Sequence, residues 1–358
     1  MRILVALSGG VDSSVAAALL ADEGHEVVGA TMKLWGGASD SGCCSVSDVD
    51  DARRVADRLG IDHHVFNFTE EFEAKVVSPY VAAHADGLTP NPCIECNRHL
   101  KFRSFLDRAT RLGFDAVATG HHAWVEPASG AQGPRLLRGA DPAKDQSYVL
   151  SCLTSAELAK LVLPIGRMTK TQVRAVAASR GLPTASKPDS QDVCFVLGGS
   201  GTSARERFLG DRLPLHAAVV VDSSGIVVGS VPAVELVTVG QRRGLGVSAG
   251  SRQFAVRVDV AARRVEVGTE EDLADRGIRL TNRTWVERAL PVGSKVLAQA
   301  SAHGRPWEAV TTADGLAYEV LRRRVAPGQT VALYRRDEVV GSGIAMLGSG
   351  GDPASEAA

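Results

Sequence analysis

The chain has 358 residues, long for one core and natural for two or three domains. With 44% hydrophobic and 23% charged residues it has the composition of a globular protein, which excludes a disordered or fibrous chain. A formal net charge of −1 excludes bulk electrostatic attraction to nucleic acid, so an RNA partner would need local patches.

The N-terminal stretch MRILVALSGG holds an apolar run of five residues, too short for a secretory leader, and no run of about 18 apolar residues could span a membrane. The expectation is a cytoplasmic protein with reduced thiols. Its six cysteines, Cys43, Cys44, Cys93, Cys96, Cys152 and Cys194, then lean toward chemistry or metal binding rather than staples.

In chain order, Arg2 to Leu7 reads as a buried strand and Ser13 to Gly24 as a helix. His25 to Leu34 is a second strand, Ser45 to Gly60 an amphipathic helix and His63 to Phe68 a third strand. Phe102 to Gly113 is a helix, Asp115 to Gly120 a strand, and Met168 to Gly181 a further helix. Each helix stops at a glycine suited to a left-handed C-cap. Strands alternating with helices predict a doubly wound, mostly parallel α/β sheet.

Near Gly198 the pattern changes. LGGSGTSARERF is a Gly/Ser-rich boundary, and the runs beyond it are short, apolar and split by turns. AAVVV and IVVGS flank DSSG, and FAVRVDV and VEVG flank AARR, which reads as a small all-β module. A second break at EEDLADRG precedes another strand-rich module. The expected domains are 1–200, 205–272 and 275–348, with a disordered tail at 349–358. Arg322-Arg323-Arg324 and Arg335-Arg336 are candidate RNA patches or plain solvated faces.

LSGGVDSS, Leu7 to Ser14, lies between the first strand and the first helix. Gly9 and Gly10 permit a tight turn that brings amides to an anion, and the helix N-terminus adds partial positive charge. Ser8, Ser13 and Ser14 offer hydroxyls. Asp12 suits a phosphate site only if Mg²⁺ bridges the two. A helix-capping turn is the bland alternative. No Gly-Lys dipeptide occurs, so this is not a Walker loop. The segment resembles the PP-loop of ATP pyrophosphatases, which adenylate a substrate oxygen.

Cys96 lies in NPCIECNRHLKF and Cys194 in KPDSQDVCFV, 98 positions away. Together with ALSGGVDSSV, CCSVSDVDDARRVADRLGI, ATGHHA, KDQSYVL and VTVGQRRGLGV, these stretches, in their order along the chain, resemble the bacterial MnmA-type tRNA 2-thiouridylases over nearly the whole length. The resemblance implies that Ala6, Leu7, Ser8, Gly9, Gly10, Val11, Asp12, Ser13, Met32 and Gly120 bind ATP. It implies Mg²⁺ with the nucleotide, adenylation of O2 of a wobble uridine, a persulfide on Cys194, and Cys96 as nucleophile in a transient Cys96–Cys194 disulfide. It implies a base pocket of Asn91, Pro92 and Cys93, and tRNA contacts from Lys144, Asp145, Gln146, the middle module and a C-terminal β-barrel. The partners implied are tRNAs reading Lys, Glu and Gln codons and a sulfur donor, a cysteine desulfurase or relay protein; a monomer is the default.

Two stretches depart from the pattern. Cys93 stands where most relatives carry an acid/base Asp, and Ser301 and Ala302 align with an Arg-Tyr pair for tRNA. Cys93 could take over proton transfer, leave it to Glu95 or water, or join a metal. One Cys-x-x-Cys gives two zinc ligands where a structural site needs four. A [4Fe–4S] cluster on Cys93, Cys96 and Cys194 is the other metal option. Arg98 and Lys101 follow Cys96 and could lower its pKa. Cys152 reads as core, and Cys43-Cys44 as structural. For His121-His122 a phosphate contact and a plain cap are both open.

Overall fold

The computed structural model describes residues 1–35, 46–130, 132–189, 193–196, 202–247 and 252–346. Cys43, Cys44 and the tail expected at 349–358 lie outside them.

Continuous apolarity in the first strand reflects burial on both faces. In β1 (Arg2–Ala6), Leu4 and Ala6 enter one core cluster, whereas Ile3 and Val5 enter another on the opposite side. β1 is flanked by β2 (Glu26–Lys33) and β4 (Ala116–Ala118); β3 (His63–Asn67) and a short strand, Leu161–Val162, form the edges. All four pairings are parallel. The strand order reverses beside β1, so the segments after β1 and β4 face one crevice, the usual ligand position in such sheets. Helix α1 (Val11–Asp22) leaves β1, and α2 (Val46–Leu59) connects β2 to β3. Gly24, Gly60, Gly113 and Gly181 follow helices at φ +79°, +66°, +76° and +62°, as the sequence predicts.

The helix expected from Phe102 begins ten residues earlier. Pro92–Glu95 continues through a π-helical stretch, Cys96–Ser104, into Phe105–Arg111. A wide π turn breaks the 3.6-residue period, which hid the first half of this helix.

The middle sheet has four strands, in the order Phe254–Asp259, Arg264–Gly268, Ala218–Val221, Val227–Val231. Six C-terminal strands from Ala274–Trp285 to Glu338–Met346 close into a barrel, because the first also pairs with the last. A hairpin of Ala123–Glu126 and Arg135–Arg138, unforeseen in the sequence, extends this sheet through Val339↔Leu136 and Glu338↔Leu137. Tyr334 and Val339 of the barrel are buried in the same cluster as Leu4 and Leu136. No helix among the described residues is long and apolar enough to cross a membrane.

Candidate active site

The loop after β1 is tightly braced. Gly9 has φ +70°, and a Cβ there would stand 2.3 Å from the Asp48 carbonyl oxygen. Gly10 is the N-cap of α1, whose first-turn amides have no intrahelical acceptor. The Ser13 hydroxyl accepts from the Ser8 amide (3.2 Å) and donates to Gly10 O (3.1 Å). Ser14 donates to the same carbonyl at 2.8 Å and accepts from Thr184. Ser13 and Ser14 are buried and Ser8 is exposed, so Ser8 keeps the accessible hydroxyl.

Asp12 is held from two sides. The Lys170 ammonium lies 2.8 Å from both its oxygens, and His122 Nε2 lies 3.3 Å away. Burial works against its charge, but these hydrogen bonds outweigh it and keep its pKa below the usual value. Lys170 also pairs with Asp189 at 2.8 Å, and Asp189 takes Lys144 and Arg174 at 2.8 Å each. Burial opposes ionisation of Asp189 too; Lys144 and Lys170 overcome it and hold its pKa at about 2.

From the other side of the crevice comes the turn after β4. A Cβ on Gly120 would meet the Asp12 backbone carbon and the Ser13 nitrogen at 2.5 Å. His121 is buried against Phe102 and 2.7 Å from Thr119 Oγ1; burial first, then Lys101 and His122, push its pKa well down, so it stays neutral. His122 has its backbone clamped by Gln146 on both N–H and C=O, and its Nδ1 is buried without a hydrogen-bond partner. Of the two histidines, His122 contacts the loop.

The cysteine loop is clasped by all three parts of the chain. The Thr89 amide donates to Pro327 O (2.7 Å), and Thr89 and Thr238 hydroxyls lie 3.5 Å apart. Asn91 caps the following helix through Cys93 N (3.1 Å), and its side chain hydrogen-bonds Tyr148, whose hydroxyl reaches the carbonyls of Thr330 (2.9 Å) and Ala300 (3.1 Å). Asn91 is half-buried, Pro92 buried and Cys93 exposed.

Cys96, Ala6 and Met32 are buried in one cluster, and Cys194 packs against that cluster half-buried. Phe195 fixes the Cys194 backbone: its ring meets Phe208 at 5.0 Å, Tyr80 at 5.4 Å, Phe72 at 5.7 Å and Trp35 at 6.3 Å. Burial raises the pKa of Tyr80, with Arg205 opposing the shift and Cys93 adding to it. Cys96 and Cys194 thus border the same core cluster. Cys152 is buried and donates weakly to Ile94 O at 3.7 Å; burial pushes its pKa up to about 12, which agrees with a core role.

Four sequence expectations need adjustment. Arg98, expected to favour a thiolate at Cys96, donates to Thr284 Oγ1 (3.0 Å) and pairs with Glu95 (3.5 Å). Asp145 has both oxygens engaged by Arg138, Gly139 and Ser147, and Lys144 of the same KDQS stretch is paired with Asp189. The Arg322–Arg324 run is mostly a fastener: Arg323 donates to Gly240 O and lies over Phe254, and Arg324 binds Asp275 (2.8 Å) and Val256 O (3.1 Å). Among the described residues no three His, Cys, Asp or Glu side chains converge on a metal position. Arg335 and Arg336 are exposed at a hairpin tip. Exposed Ser301 and partly buried Ala302 sit in a turn whose carbonyls accept from Gln299 Nε2 at 2.9 and 3.2 Å.

Lys170 and Asp189 escaped the sequence reading. Lys170 occupies the first position of its helix, after the Thr169 cap, where the helix dipole disfavours a cation. That misfit was the available signal.

Residues 1–198 match the family model described as tRNA methyl transferase HUP domain, and residues 276–345 match the aminomethyltransferase beta-barrel domain. A Chloroflexus aurantiacus protein named tRNA-specific 2-thiouridylase MnmA is 44% identical over 353 residues, covering 96% of this chain and 97% of that protein. A Mycobacterium tuberculosis protein of the same name is 43% identical over 375 residues, covering 99% and 100%. One from Roseiflexus sp. is 42% identical over 370 residues, covering 96% and 98%. Similarity of this extent along both chains shows that this chain belongs to the MnmA family of tRNA-specific 2-thiouridylases.

Proposed function

We propose that this enzyme is a tRNA-uridine 2-sulfurtransferase that uses ATP. O2 of a wobble uridine attacks the α-phosphorus and pyrophosphate leaves. A persulfide on Cys194 then delivers sulfur to C2 and AMP departs. Cys96 thiolate attacks Sγ of Cys194, freeing the transferred sulfur and leaving a Cys96–Cys194 disulfide that an external dithiol must reduce. The observation that carries this reading is the shared cluster: Cys96 lies within it and Cys194 against it, alongside Ala6 and Met32 at the nucleotide end of the sheet.

The loop fits a polyphosphate, with glycines where side chains would collide, helix amides, and the exposed Ser8 hydroxyl. Leu7, Val11, Asp12, Ser13, Met32 and Gly120 complete that site in our reading. Asp12, which Lys170 holds in this structure, would take the Mg²⁺ that accompanies the nucleotide, and the ion would neutralise phosphate charge there. Asn91 and Pro92 shape the loop that presents Cys93 to a flipped base. Lys144 and Gln146 with Asp145, and the turn at Ser301 and Ala302, face the tRNA. We assign 1–200 to catalysis, 205–272 and 275–348 to holding tRNA, with Lys, Glu and Gln acceptors, a cysteine desulfurase or relay protein as sulfur donor, and a cytoplasmic monomer as the working form.

The test incubates the protein with ATP, Mg²⁺, a sulfur donor and an unmodified tRNA, then digests the RNA. The expected product is 2-thiouridine with matching AMP, lost in Cys194→Ser. A methylated uridine, or 2-thiouridine formed equally by Cys194→Ser, would overturn the reading.

A further inference from the structure

Cys194 is approached by two anchors of opposite character. On one side, its neighbour Phe195 is buried among Trp35, Phe72, Tyr80 and Phe208. On the other, Asp189, five positions earlier, is tied to the nucleotide end of the sheet by Lys170, Lys144 and Arg174. The aromatic anchor is indifferent to ligands. The ionic one is not, because Lys170 is shared: the same ammonium binds Asp12 of the phosphate loop and Asp189 of the thiol segment.

We propose that Lys170 is a positioning residue that couples phosphate occupancy of the loop to the placement of Cys194, acting through Asp189. A polyphosphate in the loop brings several negative charges to an ammonium that is only 12% exposed and already lies 2.8 Å from the loop carboxylate. At such distances and little screening, the more highly charged anion wins the cation. Asp189 then loses one of three partners, and the restraint it places on Cys194 weakens. Lys187 supports this arrangement: its ammonium binds Asp48 (2.7 Å) and Asp51 (2.5 Å) of α2, and the Asp48 backbone is what Gly9 packs against. Both ends of the Lys187–Asp189 stretch therefore report on the phosphate loop. The inference rests on the ATP-binding reading of that loop.

The experiment measures alkylation of Cys194 by iodoacetamide, resolved by peptide mass spectrometry, with and without Mg²⁺ and α,β-methylene-ATP, and without tRNA or sulfur donor. Nucleotide binding is followed separately by calorimetry. The expected result is an acceleration of at least about threefold on nucleotide binding. In Asp189→Asn, Cys194 should react fast without nucleotide and show no response. Lys170→Gln should lose the response and Lys170→Arg should keep it, which a merely structural role would not produce. An unresponsive Cys194 in wild type, despite measured binding, overturns the coupling alone. Absence of nucleotide binding overturns the proposed function beneath it. Should Asp189→Asn fail to fold, the wild-type and Lys170 arms decide.

Discussion

Gly120 abuts Asp12: a Cβ on the glycine would lie 2.5 Å from the aspartate's backbone carbon. The contact joins the segments that follow β4 and β1, the two walls of the crevice at the strand-order reversal. Neither partner can yield easily, because both atoms belong to main chain. Gly120→Ala should therefore displace the first turn of α1 and weaken ATP binding at least about tenfold, more than its cost in stability explains. Calorimetry on the folded variant checks this; an unchanged Kd would refute the placement of the nucleotide.

The four described cysteines should separate by reactivity. Cys93 is exposed, Cys194 half-buried, Cys96 buried, and Cys152 buried with its thiol held protonated by a pKa of about 12. Limited alkylation of the native protein near pH 8 should modify Cys93 first and spare Cys152 until denaturant is added. Early labelling of Cys152 would contradict its placement. Cys152→Ala should leave thiolation intact and cost about 1–2 kcal/mol of stability, the range for removing one well-packed group.

Cys93 is the second residue of the helix that begins at Pro92, at the position where the family resemblance led us to expect an acid/base aspartate. A carboxylate there meets the favourable end of the helix dipole, which contributes roughly 0.3–1 kcal/mol at an exposed position. Cys93→Asp should therefore fold at least as well as wild type and retain 2-thiouridine formation. Loss of activity in Cys93→Asp, with Cys93→Ser active, would mean the aspartate cannot be accommodated beside Tyr80 and Tyr148.

The α/β core was legible because its signals are local. Apolar runs such as Arg2–Ala6 mark buried strands, and Gly24, Gly60, Gly113 and Gly181 punctuate the helices as positive-φ caps. What stayed hidden depends on distant partners. The hairpin at Ala123–Arg138 finds its neighbour some two hundred positions later, at Glu338 and Val339. Lys170 is explained only by Asp12 and Asp189. The motifs around Cys96 and Cys194 are local, whereas the cluster that both border is a property of packing.

His84 links stability to pH. Burial first, then Arg205, lowers its pKa to about 4, although a hydrogen bond to the Glu235 carbonyl at 3.2 Å opposes the shift. The folded state thus binds its proton less readily than the unfolded chain, with its ordinary value of 6.5. Stability should be full above about pH 6.5 and fall as pH drops toward 4, by on the order of 3 kcal/mol from this residue. Buried neutral His121 acts in the same direction. Urea titrations at pH 7.5 and pH 5 should show a smaller loss for His84→Gln than for wild type; equal losses would remove His84 from the account.

Arg324 distinguishes a fastener from an RNA contact. Its guanidinium binds Asp275 at 2.8 Å and the Val256 carbonyl at 3.1 Å, joining the barrel to the middle sheet. Beside it, a cleft of about 590 Å³ opens between the two parts, lined by Gly240, Gln241, Trp307, Arg322 and Arg323. If Arg324 neutralised an RNA phosphate, Arg324→Ala would reduce the slope of log K against log salt by about 1. As a fastener it should leave that slope unchanged. It should instead lower stability by about 1–3 kcal/mol, the range for a charge-assisted hydrogen bond to a partner left unpaired. Any loss of tRNA affinity would then come from the altered angle between the two parts and would be the same at low and high salt. Exposed Arg322 is the paired control, because it lines the same cleft. Filter-binding titrations of both variants across a salt series separate the roles: a reduced slope for Arg324→Ala would return this arginine to the RNA surface.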